Sequence, residues 1–133
     1  MAKVSGNIPC PCHSNTKYKK CCQKYHKGAL PPTAQALMRS RYSAFALGLA
    51  DYIITTTHPN NSDYREDVAS WREEILAFSH HTSFLGLRIL SFEPGQEESF
   101  VTFEATLSSG ILKERSRFLK PAQRWLYVDG EFF

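Results

Sequence analysis

Four cysteines, at positions 10, 12, 21 and 22, carry the most specific chemistry in this 133-residue chain. The segment Cys10-Pro11-Cys12-His13-Ser14-Asn15-Thr16-Lys17-Tyr18-Lys19-Lys20-Cys21-Cys22 sets a Cys-x-Cys turn and an eight-residue loop ahead of an adjacent cysteine pair. Thiolates so arranged suit a tetrahedral metal site, two ligands coming from the turn and two from beyond the loop. Pro11 restricts the turn, and Ser14 and Asn15 are turn formers. Disulfides are the competing chemistry. The opening Met1-Ala2-Lys3-Val4-Ser5-Gly6-Asn7 lacks the apolar stretch of an export signal, which points to a reducing, cytoplasmic setting. A redox pair is disfavoured because the usual two-residue spacer is missing. The fourth ligand stays open: Cys22 directly follows Cys21, and His13 or His26 could replace it.

Something must organise this segment, because 28 residues cannot bury a core alone. Residues 1–28 hold six lysines and no acid, a formal +6, whereas residues 29–133 hold ten Lys or Arg and all thirteen acids. The lysines offset thiolate charge and lower the thiol pKa values. Lys17, Lys19 and Lys20, with Tyr18 between them, form a candidate face for an acidic protein or a phosphate backbone, with ordinary solvation as the alternative. We therefore place a boundary at Pro31-Pro32, between a metal module (1–28) and a globular body (29–133). Apolar residues at 42% and charged residues at 22% exclude wholesale disorder. No run approaches the roughly 20 apolar residues of a membrane span.

The pattern Cys-Pro-Cys-x-Ser-x-x-x-Tyr-x-x-Cys-Cys resembles the SEC-C motif, the metal-binding module at the C-terminus of the SecA translocase motor. The resemblance implies Cys10, Cys12, Cys21 and Cys22 as ligands, with zinc as the usual metal and iron an alternative. It also implies partners such as the ribosome or the export chaperone SecB. The motif normally carries glycine where this chain has His13 and Asn15. Asn tolerates a left-handed backbone, so His13 is the larger departure.

Elements that could position a site follow in the body. Thr33 is a good N-cap, and Ala34, Leu37, Met38, Phe45 and Leu49 recur at helical spacing. Gly48 breaks this helix and a short one follows over 51–54. Asp63 with Glu66 reads as a capping box for a third helix, with Val68, Trp71, Ile75 and Phe78 on one face. The period then changes to two: Leu85, Leu87 and Ile89, then Val101, Phe103, Ala105 and Leu107, and finally strands over 112–119 and 124–128. Helices followed by strands predict an α+β domain with helices packed on one face of an antiparallel meander. Leu37-Met38-Arg39-Ser40-Arg41-Tyr42-Ser43-Ala44-Phe45, His58-Pro59, Glu114-Arg115-Ser116-Arg117-Phe118 and Trp125-Leu126-Tyr127-Val128-Asp129-Gly130 are similar to the YchJ family. That resemblance implies a cone-shaped domain like nuclear transport factor 2, a curved antiparallel sheet around helices, joined to the SEC-C knuckle.

A cone of this kind can hold a pocket, and Arg41 falls on the apolar side of its helix. A buried cation needs a partner, and Glu104 and Glu114 on adjacent strands are the expected ones. Trp125 and Tyr127 complete the candidate pocket. The pairing would either dock helix on sheet or hold a ligand. His58 reads as a loop cap, His80-His81 as an exposed connection, and Lys113, Arg115 and Arg117 as a solvated strand face. No nucleophilic triad or Gly-rich phosphate loop is present, so an enzyme is not indicated. The expected function is that of a non-catalytic adaptor acting through the basic metal module. The alternative is a small-molecule-binding or catalytic cone with a structural metal module.

Overall fold

The structure, a computed structural model, describes residues 4–133. The body begins with helix α2 (Ala34–Leu47), after a short α1 (Gln23–His26) in the cysteine segment. Thr33 holds extended backbone and its hydroxyl accepts from the Ala36 amide at 3.1 Å, satisfying one of the donors a helix start leaves free. Gly48 ends the helix at φ 72°, a left-handed conformation glycine adopts without side-chain strain. Helix α3 (Ala50–Thr55) follows at once, then α4 (Val68–His80). The capping box expected at Asp63 and Glu66 is not what starts α4: Asp67 is the N-cap, accepting from the Ser70 amide at 3.2 Å. Asp63 instead gives its backbone N–H to the Asn61 side chain at 2.8 Å, in the loop.

Four antiparallel strands form a meander, β1 (Phe84–Glu93), β2 (Glu98–Leu107), β3 (Gly110–Leu119) and β4 (Leu126–Phe132), in the order β1-β2-β3-β4. The α+β class and curved antiparallel sheet expected from the sequence are what the chain adopts. The last strand runs later than expected because Pro121–Gln123 forms a 3-10 turn with Ala122 and Gln123 at positive φ, delaying pairing to Leu126. Val101, Phe103 and Ala105 alternate inward on β2, as do Glu114, Ser116 and Phe118 on β3. One alternation fails. A register irregularity between Phe84 and Gly86 leaves Leu85 60% exposed and turns Phe84 inward.

The outer sheet face is charged and paired. Arg88 and Lys113 flank Glu104, Arg115 forks onto Glu93, and Arg117 bridges Glu98 and Asp129. Lys113, Arg115 and Arg117 thus form a solvated strand face neutralised by acids. Two cores meet at α2. One joins Leu37, Met38, Tyr42, Val101, Phe103, Phe118 and Trp125 with three of the cysteines; the other joins Ala44, Ala50, Ile53, Trp71 and Ile75 between the helices. Burying a side chain the size of Leu37 or Phe118 contributes about 1.5–3 kcal/mol, so the helix is pinned on both sides. Among the described residues no helix is long and apolar enough to cross a membrane. The cap assignment has a direct check: Asp67→Ala lowers unfolding stability by about 1 kcal/mol, whereas Asp63→Ala leaves it nearly unchanged in urea denaturation.

Candidate functional site

Backbone hydrogen bonds fold the cysteine segment into a small knuckle. The Cys10 amide donates to Thr16 O at 2.8 Å, Tyr18 N to Ile8 O at 2.9 Å and Lys19 N to Gly6 O at 2.9 Å. His13 and Asn15 both take the left-handed conformation, at φ 61° and 67°. That strain, about 1 kcal/mol for an ordinary residue, is offset at His13 by ring contact with Tyr42 and a 3.3 Å hydrogen bond to Phe84 O. These folds bring the Sγ atoms of Cys10, Cys12, Cys21 and Cys22 within 4.8 Å of one another. Cys12 and Cys21 stand 3.5 Å apart, and Cys21 and Cys22 3.9 Å. Those separations exclude a disulfide, whose sulfurs lie at about 2.05 Å, and all four cysteines are free. They match a tetrahedral thiolate shell, whose edge is about 3.8 Å for metal–sulfur bonds near 2.3 Å. The donor set therefore fits a metal.

Protonation gives the same answer. Four thiols this close and this buried cannot all ionise unaided. Hydrogen bonds from Cys10 and Cys22 pull the Cys12 thiol far down. The same contacts with Cys10 and Cys12, reinforced by burial, push Cys22 far up, and burial raises Cys21 to about 11. A cation removes this conflict, because a bound metal takes all four as thiolates.

The body supplies most of the outer ring, and Ser14 of the knuckle itself completes it. Ser43 donates to Cys22 Sγ at 3.3 Å and lies 3.6 Å from Cys10 Sγ, Ser14 lies 3.2 Å from Cys21 Sγ, and Arg39 Nη1 reaches Cys12 O at 3.2 Å and its Sγ at 3.8 Å. Arg39 and Ser43 are absent from the sequence-derived site. Their one signal is polar residues four apart on an otherwise buried helix face. His26 is no ligand here. Its Nε2 donates to Ser40 O at 2.8 Å and its Nδ1 accepts from Tyr18 Oη at 2.5 Å. Burial lowers the His26 pKa, so the ring stays neutral and ties α1 to α2. His13 is likewise turned to Phe84, which leaves Cys22 in the fourth position.

Tyr18 corrects the expected docking face: it is 3% exposed, with burial raising its hydroxyl to about 12. Lys17, Lys19 and Lys20 around it are exposed. The expected pocket is also redrawn. A cavity of about 540 Å³ lies between α2, α4 and the concave sheet face, lined among others by Arg41, Phe45, Trp71, Phe103, Glu114 and Tyr127. Glu104 is outside it. Register sets Glu104 opposite Lys113 and Phe103 opposite Glu114, so the two glutamates point to opposite faces. Trp125 is outside it too. Its ring packs in the core with the cysteines and borders a smaller recess of about 270 Å³ beside Tyr25 and Tyr52. Arg41 forms no ion pair with either glutamate. Its Nη1 donates to Ile53 O (3.2 Å), Thr56 Oγ1 (2.8 Å) and Thr57 Oγ1 (3.1 Å), and its guanidinium lies 4.8 Å above the Tyr127 ring. His58 caps its loop, accepting from the Asn60 amide at 3.0 Å.

A docked four-cysteine knuckle on a helix-and-sheet cone defines a SEC-C-motif protein with an NTF2-like body. The comparisons agree: the model for "YchJ, middle NTF2-like domain" matches residues 33–130 and that for the SEC-C motif residues 7–24. This chain belongs to the YchJ family. It is 40% identical over 131 residues to a UPF0225 protein of Sodalis glossinidius, covering 92% of this chain and 82% of that one. A UPF0225 protein of Streptomyces coelicolor is 41% identical over 128 residues, covering 93% and 95%. Among solved structures, a SEC-C-motif-containing protein from Rhodopseudomonas palustris aligns with TM-score 0.77 at 32% identity, covering 93% of this chain and 98% of that one. One from Psychrobacter arcticus gives 0.76 at 28%, covering 93% and 82%.

Proton release fixes the sign of the pH dependence. With Cys21 and Cys22 held as thiols, metal binding must displace protons, so affinity rises with pH. Chelator competition at pH 6 and pH 8 will show one metal per chain held more tightly at pH 8, and none held by Cys12→Ser. Affinity independent of pH, or stoichiometric metal on that variant, contradicts the four-thiolate site.

Proposed function

We propose that the chain is a cytoplasmic zinc-binding adaptor whose knuckle presents a basic face to an acidic partner. A tetrathiolate site in a reducing compartment favours zinc, which has no redox chemistry and accepts a tetrahedron of sulfurs; iron is the alternative. The metal's part is structural, since four protein ligands leave no open position for substrate.

One observation carries the adaptor reading. The charged side chains of the outer sheet face are paired with acids, whereas among the described residues Lys17, Lys19, Lys20, Lys24 and Lys27 form no ion pair and all five are exposed. The first three lie on a single 3-10 turn and its approach, anchored by buried Tyr18 and the cysteine pair. A fixed array of unpaired cations suits an acidic protein face or a phosphate backbone. SecA's use of the same module makes the ribosome and an export chaperone such as SecB the partners to test. Replacing Lys17, Lys19 and Lys20 together with glutamate is expected to abolish co-sedimentation with ribosomes and capture of SecB while metal content stays at one per chain. Undiminished capture of either partner by that variant contradicts the docking face.

A further inference from the structure

The cavity holds two charged groups that do not satisfy each other. Glu114 is 6% exposed, and its Oε2 accepts from Ser116 Oγ at 2.6 Å and Tyr127 Oη at 2.7 Å. Its other oxygen accepts from no described residue. Gly130 makes room for this pose, since a Cβ there would lie 2.2 Å from Oε2. Arg41 spends only Nη1 on described partners, and its Nε and Nη2 donate to none of them. The Tyr127 ring and hydroxyl stand between the cation and the anion. Removing charge from water is costly unless the remaining donors and acceptors are used, and here one Glu114 oxygen and two of the three Arg41 nitrogens are left to the cavity.

Other polar residues also line the cavity, Asn61, Asp63 and an Arg65–Glu74 ion pair among them. Much of the remainder is apolar, with Phe45, Phe78, Phe84, Leu107 and Leu112. The volume, about 540 Å³, lies within the range of small-molecule sites, roughly 300–1,000 Å³. We infer that the cone binds a small, net-neutral, apolar-tailed molecule whose polar head carries an acceptor for Arg41 beside a donor for Glu114. An amide or a zwitterionic head meets that requirement. A lone carboxylate meets Glu114 with like charge, and a lone amine meets Arg41 with like charge. This site is separate from the knuckle and does not depend on the adaptor reading.

The test uses the metal-loaded full chain and four probes of similar shape, phenylacetamide, phenylacetate, phenethylamine and ethylbenzene, each followed by amide NMR titration. Phenylacetamide is expected to shift the amides of Thr57, Glu114, Ser116 and Tyr127 and to bind at least tenfold more tightly than the other three, because buried polar groups penalise a head that leaves them unpaired. Glu114→Gln removes the anion and should move the preference to phenylacetate; Arg41→Met should move it to phenethylamine. If Arg41→Met does not fold, the Glu114→Gln switch decides. Equal affinity for ethylbenzene and phenylacetamide overturns the head recognition, and no shift at cavity amides with any probe overturns the site.

Discussion

Four sulfur atoms gathered within 4.8 Å at the edge of a hydrophobic core govern how the knuckle and the body come together. Thiols so placed are poor core residues for one another, because each ionisation raises the cost of the next. A metal ion turns that conflict into attraction and closes a segment too short to fold on its own packing. The knuckle is accordingly a wall of the body: Cys10, Cys12 and Cys22 are buried with Leu37, Met38 and Trp125.

Helix α2 makes one unit of the two halves. Arg39, Ser43 and the Ser40 carbonyl face the knuckle, meeting Cys12, Cys22 and His26. Met38, Arg41 and Phe45 face the cavity. A polar run that would weaken an exposed amphipathic helix is used here on both sides, and Ser40 and Ser43 are fully buried because each has a partner. The same arrangement places the metal site and the cavity on opposite faces of one helix.

Much of this was legible in the sequence where a period or a spacing carries the information. Cysteine spacing marked the metal module, and the change from helical to alternating period marked the α+β order. Thr33 and Gly48 marked both ends of α2. What was not legible depends on registers and on through-space partners. A bulge at Leu85 reverses an alternation, and the neighbouring Gly86 alone does not announce it in an otherwise regular strand pattern. Glu104 and Glu114 resemble each other in sequence, yet the tight turn at Ser108-Ser109 sets the register that sends them to opposite faces. Arg41 needed a partner, as reasoned, but found carbonyl and hydroxyl oxygens at the end of α3 and a tyrosine ring in place of a carboxylate. Tyr18 sits in a lysine run and reads as surface, but its hydroxyl meets a half-buried histidine from a helix that only the folded knuckle brings near.

A bound metal would hold the knuckle on the body through α2. Native-state hydrogen exchange with the metal bound and after its removal tests it most directly. Removal is expected to strip protection from the Cys10, Tyr18, Lys19 and His26 amides and to weaken it over the first turns of α2, while the central β2 and β3 amides keep theirs. Unchanged protection in the knuckle after complete metal removal would contradict that role of the metal.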